Sequence, residues 1–170
     1  MSHMFTENCK IVNALPPVDG DNTALTTNII SMKNYKHCTF IITFGVVNAS
    51  AATSANLIAY KGEDVTTCTT AFACQYRAEV TAAGDTLEAL TALASTGVSL
   101  GTGNTLDVCG DNATVVVEID AEDLAPTQAN PYDTVKLGMT WNNNSVLLSA
   151  VAILSEPRYA QASPPTAITD

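Results

Sequence analysis

Positive charge is what this chain has least of. Its 170 residues hold seven Lys and Arg against seventeen Asp and Glu, a formal net charge of −10. The seven cations (Lys10, Lys33, Lys36, Lys61, Arg77, Lys136 and Arg158) are scattered along the sequence. Neutralising a phosphate backbone takes a basic stripe, so no nucleic-acid partner is expected. The same balance repels an anionic membrane surface. Long apolar runs are also missing. The longest, Val146 to Leu154, falls far short of the ~20 residues that span a bilayer as a helix. The opening MSHMFTENCKI has neither a basic n-region nor an apolar h-region. The expectation is therefore a chain made and folded in the cytoplasm, with Ser2-His3-Met4 reading as a cloning remnant.

Histidine is nearly absent, and with it the usual proton carrier. The chain has two, of which His3 falls in the presumed remnant. His37 sits between Lys36 and Cys38; a general base needs a nucleophile paired with it and an orienting carboxylate, and the sequence offers no such pairing. It reads as a strand-edge histidine. Cysteines number five (Cys9, Cys38, Cys68, Cys74 and Cys109), so at least one is unpaired within the chain. Without an export signal the default is reduced thiols. Cys68-x5-Cys74 lacks a second close pair and a nearby histidine, so no zinc site is expected. A Cys68–Cys74 bridge across a turn stays open as an oxidised form, while Cys38 and Cys109 read as small buried apolar side chains.

Charged residues are only 14% of the chain, against a typical ~25%. Thr, Ala, Asn and Ser stand in the vacated positions. With 46% hydrophobic residues, that is not a disordered composition. At this length one domain buries roughly 70% of its unfolded surface. The apolar pattern has period two almost throughout, with turn residues between the runs. In Cys38 to Val47, Phe40, Ile42, Phe44 and Val46 share one face, and this strand reads as central. Val115, Val117 and Ile119 share a face within Ala113 to Asp120, as do Val135, Leu137, Met139 and Trp141. Asn142-Asn143-Asn144 suits a tight hairpin turn. Ser145 to Leu154 is apolar on both faces, which predicts a strand covered on both sides. Further strands are expected at Cys9 to Ala14, Asn28 to Met32, Ala55 to Lys61, Val65 to Thr70, Gln75 to Thr81 and Asn104 to Val108. Pro16-Pro17 onward reads as loop, and Thr86 to Leu93 is ambiguous. The fold class is all-β: a single β-sandwich or jelly-roll-like domain with extended terminal arms. Its expected organisation is an N-terminal arm and first short strand over 1–27, a body over 28–155 and an extended C-terminal tail over 156–170.

Motifs that carry chemistry are scarce. LGTGN, Leu100 to Asn104, lacks the Gly-Lys-Ser/Thr ending of a phosphate loop and the further glycine of a dinucleotide fingerprint. Asp120, Glu122 and Asp123 cluster at a strand end. Paired carboxylates serve glycoside hydrolysis or calcium binding, but the EF-hand ligand spacing and its glycine are absent, and a solvated turn is the favoured reading. Trp141, the single tryptophan, reads first as core and second as a sugar-stacking platform. No catalytic, cofactor or metal residues are therefore assigned, and no enzymatic activity is expected. Tyr132, Glu156, Arg158 and Tyr159 flank the C-terminal hairpin as candidate interface residues, since Tyr and Arg are enriched at protein contacts.

Two blocks carry a resemblance: NIISMKNYKHCTFIITFG, Asn28 to Gly45, and YDTVKLGMTWNNNSVLLSAVAILSEPRYA, Tyr132 to Ala160. The resemblance extends over about half of the chain, these two blocks being its recognisable parts, and both are structural motifs. They resemble small virion proteins of tailed bacteriophages, in particular capsid decoration or cement proteins. That resemblance implies an all-β, often trimeric protein on the capsid surface, made in the bacterial cytoplasm. Its implied partners are the major capsid protein and copies of itself. A tail or head-completion component fits the same motifs. A carbohydrate-binding or adhesive β-sandwich module is the alternative of a different class.

Overall fold

The computed structural model describes residues 5–20, 24–47, 55–80, 86–100, 106, 112–141, 146–158 and 167–168. Two antiparallel sheets pack face to face. The first, sheet A, is built from β1 (Lys10–Asp19), β4 (Tyr35–Val47), β7 (Cys74–Glu79), β8 (Thr91–Leu93), β10 (Thr114–Asp120) and β12 (Val146–Pro157), in the order β1-β12-β4-β10-β7-β8. Sheet B takes β2 (Leu25–Thr26), β11 (Thr134–Thr140), β5 (Asn56–Gly62) and β6 (Cys68–Ala71) in that order. The short β3 (Ile30–Ser31) pairs with β11, and β9 (Val98–Ser99) pairs with β5. One helical turn, α1 (Phe5–Asn8), precedes β1. The all-β sandwich implied by the period-two pattern is the fold.

Side-chain size explains how the sheets close on each other. Successive strand residues point to opposite faces, so one row of each strand builds the core. Across sheet A, Ala152 stands opposite Phe40, which stands opposite Val117 and then Tyr76. The next row runs Ala150, Ile42, Val115, Ala78. Small residues on β12 and large ones on β4 let these rows interdigitate at core density. Sheet B answers with Leu57, Ala59, Val135, Leu137 and Met139, all buried. Trp141 is 5% exposed and meets Phe44 edge-to-face at 5.8 Å between ring centroids. Its core role holds, and the ring is not presented to solvent.

Several local expectations differ from the structure. Pro16 and Pro17 lie inside β1, at register shifts between Leu15 and Val18. Proline is tolerated there because β1 is an edge strand, with no neighbour waiting for its missing donor. Lys10 to Asp19 is thus part of sheet A, with Val12, Ala14 and Leu15 buried, not a free arm with a short strand. The tail also returns to the body: Ala167 is buried and its carbonyl accepts the Ser31 N–H at 2.7 Å. Thr86 to Leu93 resolves into an irregular approach and the three-residue β8. β12 alternates buried and outward residues, with Leu147 52% exposed. Among the described residues its outer face is only partly covered, Ser149, Val151 and Ile153 being half-buried and Leu147 exposed, against the double-sided expectation. The expected Asn104 to Val108 strand, the Asn142 to Asn144 turn and Cys109 fall outside the described residues, apart from Leu106, which is buried.

The Cys68–Cys74 bridge is not formed, and the topology says why. Cys68 opens β6 in sheet B while Cys74 opens β7 in sheet A. Phe72 and Ala73 carry the chain from one sheet to the other between them, a corner typical of strands that switch sheets. Both thiols are free and buried. Burial pushes their pKa values up, to about 11 for Cys68 and about 12 for Cys74, so neither is an activated nucleophile. The turn before β6 depends on Gly62, where the β5–β6 register shifts. A Cβ at Gly62 would overlap the Thr67 carbonyl oxygen and press on the Cys68 backbone. Gly62→Ala is expected to destabilise the protein by about 1–3 kcal/mol, read as a lower urea midpoint at unchanged slope.

Candidate functional site

Titratable side chains concentrate at one end of the sandwich. There β4 begins, β10 and β12 finish, and a turn runs through Ala121 to Leu124. The turn follows from Asp120-Ala121-Glu122-Asp123: the Asp123 N–H donates to the Asp120 carbonyl, and the Asp123 carboxylate accepts the Asp120 N–H at 3.1 Å. Asp123 thus has the turn role expected of it. Lys36, His37, Glu118, Asp120, Glu122, Glu156 and Arg158 surround this turn in two adjoining grooves that share Asp120.

His37 is the centre of the first groove. Antiparallel register places it directly opposite Asp120 and diagonal to Glu118, the cross-strand positions at which side chains meet. Its Nδ1 lies 2.6 Å from Asp120 Oδ1 and its Nε2 lies 2.8 Å from Glu118 Oε2. The Thr39 hydroxyl donates to the same Glu118 oxygen at 2.7 Å. Carboxylates on both nitrogens favour the doubly protonated ring. The Glu118 hydrogen bond is the largest cause, and with Asp120 it outweighs partial burial and raises the His37 pKa to about 9. Reciprocally, the hydrogen bond from His37 holds Glu118 below the usual carboxylate range. Chemically this is an ionic clamp between β4 and β10. A general base needs a nitrogen free to take a proton, and both ring nitrogens are committed here. Sequence spacing missed the pairing because its members lie 81 and 83 residues apart. Only the strand register brings them together.

The second groove holds two of the four expected interface residues. Glu156 and Arg158 line it with Lys36, Asp120, Ala121 and Glu122. Arg158 is anchored: its backbone N–H donates to Asn34 O at 2.9 Å and its Nε to Tyr35 O at 3.3 Å. Glu156 is exposed and has φ of 54°, a left-handed conformation that costs a residue with a Cβ about 1–2 kcal/mol. Tyr132 is elsewhere. It packs half-buried against the core, with the Lys61 ammonium 4.7 Å from its ring centroid. That ammonium also donates to the Leu124 carbonyl at 2.7 Å. Tyr132 thus belongs to an internal cation–aromatic contact and not to the Glu156–Arg158 groove. Tyr159 lies outside the described residues.

Among the described residues no cluster of His, Cys, Asp and Glu has the arrangement of a metal site, and no helix is long and apolar enough to cross a membrane. No protein-family model matches the chain, and no curated protein matches its sequence.

The clamp makes stability depend on pH with a definite sign. A histidine whose pKa is higher folded than unfolded adds stability that is fully present below the unfolded value near 6.5. That stability is lost as pH rises through about 9. The depressed Glu118 acts in reverse, its contribution being lost as pH falls through its folded pKa. Wild type minus His37→Gln, compared by urea unfolding across this range, should show about 2 kcal/mol disappearing between pH 6.5 and 9.5. The figure allows for the solvent-exposed Asp120 partner. Taking the difference cancels the alkaline contribution of the buried thiols.

Proposed function

We propose that this chain is a non-enzymatic structural protein of a tailed-phage virion, and specifically a capsid decoration protein that binds the head shell and stabilises it. The resemblance of Asn28–Gly45 and Tyr132–Ala160 to such proteins suggests the class. The observation that carries the non-catalytic half is the His37 clamp. The one histidine among the described residues has both ring nitrogens held by carboxylates, and the neighbouring Asp123 serves its own turn. The sugar-binding alternative loses its platform, since Trp141 is packed on Phe44 in the core.

In this reading the sandwich is a rigid wedge. Its acidic body, at −10, turns away from packaged DNA and seeks basic patches on the shell. The groove bearing Lys36, Glu122, Glu156 and Arg158 offers both signs of charge at the end where the chain leaves β12. Many identical sites turn a modest contact into high avidity. Tail and head-completion positions are the other outcomes a labelled particle distinguishes.

Purified protein should co-sediment with expanded, undecorated shells, and raising salt should weaken the attachment. Arg158→Ala should reduce retention severalfold while leaving the fold intact. No binding to shells at any salt would remove the decoration reading.

A further inference from the structure

The outer face of sheet B carries a cavity that neither the His37 clamp nor the Arg158 groove accounts for. β11 turns Val135 and Leu137 into the core, so Lys136 and Gly138 face outward. Register sets Gly138 between Thr26 on β2 and Ile58 on β5, and Lys136 beside Tyr60 on β5. Gly138 leaves the middle of that face without a side chain. The Tyr60 ring leans diagonally into the space, so that a Cβ at Gly138 would stand 2.7 Å from its Cε2. What remains open is a cavity of about 280 Å³, with Ala24 and Leu25 on its β2 side and Cys68 and Thr69 on its β6 side.

The lining limits what can fill it. Among the described residues around the cavity, Lys136 is the one charged side chain. Its ammonium stands 5.7 Å from the Tyr60 ring centroid, and no carboxylate is paired with it among the described residues. The acid on the neighbouring β5–β6 turn, Asp64, is already engaged: its carboxylate accepts the Thr66 hydroxyl and the Thr66 and Thr67 N–H groups. Other cations of the chain have partners, since Lys61, Arg77 and Arg158 each donate to a main-chain carbonyl. Lys136 instead faces a mainly apolar space. Water held there by few polar groups is displaced favourably by an apolar one.

That combination selects an anion with an apolar body. A cation would be repelled by Lys136. A neutral hydrocarbon would strip water from the ammonium with nothing to replace it. A phosphoryl group, with about two charges and three acceptor oxygens, asks for more donors than one ammonium supplies. The volume falls just under the ~300–1,000 Å³ range of drug-sized sites, so it admits one ring or a short chain.

We propose that this cavity is a binding site for a small, free apolar carboxylic acid in its anionic form. The ring or chain lies against Tyr60, Ile58 and the bare Gly138, and the carboxylate meets the Lys136 ammonium. The acid is bound and not transformed, and the inference is independent of the virion role.

The test is calorimetric titration of the full chain with phenylacetate, 3-phenylpropionate and hexanoate, each beside its carboxamide as an uncharged match. At least one acid should bind saturably with a Kd of about 1 mM or tighter. Its amide should bind about tenfold more weakly. Lys136→Gln should lower the acid to the affinity of the amide and leave the amide unchanged. Lys36→Gln, in the Arg158 groove, should change neither. Gly138→Ala, which drives the Tyr60 ring into the cavity, should abolish binding of both. Thr26→Tyr, on the exposed edge of β2, fills the same space if Gly138→Ala does not fold. Absence of saturable binding by all three acids, equal affinity for acid and amide, or unchanged affinity in Lys136→Gln would each overturn the proposal. So would tighter binding of an acetylated tripeptide ending in phenylalanine, which would assign the cavity to a peptide terminus.

Discussion

The pairing of β4 with β12 is the constraint on which the rest of the molecule depends. The ladder runs from Val146–Val47 to Pro157–Tyr35 with one register shift between Val146 and Leu148, the longest pairing among the described residues. Because both strands alternate strictly over most of it, one register decides everything on both sides. It sets Ala150 and Ala152 against Ile42 and Phe40, so that β12 approaches the core closely where β4 is bulky. A slip of one residue would move Phe40 and Phe44 to solvent and bring Thr39 and Thr43 inside. The two strands come from the blocks Asn28–Gly45 and Tyr132–Ala160, so the distinctive pattern of those blocks is first of all a statement about this ladder.

From the ladder the polar end of the molecule follows. Extending β4 back to Tyr35 puts His37 opposite Asp120 on β10 and Ser155 on β12. Extending β12 to Pro157 lays Arg158 against the Asn34 and Tyr35 carbonyls. Scarce cations are thereby placed where they count. Lys61 lies against Tyr132 and Phe72 and reaches a turn carbonyl, and His37 supplies a positive charge between two carboxylates. In a chain of −10 these internal uses leave a surface that is acidic in places and neutral in others. The neutral part includes the middle of the outer rows of β1, β12 and β4, between Asp19 and His37.

Much of the fold was legible because alternation reports burial directly. Phe40, Ile42 and Phe44 announced the centre of sheet A, and Val135, Leu137 and Met139 announced β11. The misreadings share one cause, since local signals do not say which strand lies at an edge. Pro16 and Pro17 break a central strand but not β1. The apolarity of Ser145 to Leu154 on both faces predicted cover on both sides, but β12 alternates buried and outward residues, because a local pattern does not say what packs on its outer face. The Cys68–Cys74 spacing suited a bridge until the corner at Phe72 sent the two residues to different sheets. Of the expected interface residues, Glu156 and Arg158 share a groove while Tyr132 is held by Lys61.

By itself the sequence determined the class of fold, the strands that carry the core, the acidic balance and the core role of Trp141. Each is a property of composition or of spacing along one strand, and a period of two is enough to express it. Only the tertiary structure decided that His37 is an ion-paired clamp, that two cysteines six residues apart lie in different sheets, and that Leu147 on the outer face of β12 is exposed. Those outcomes depend on which strands become neighbours and in what register. Strand pairing joins residues more than eighty positions apart, a separation that no local pattern encodes.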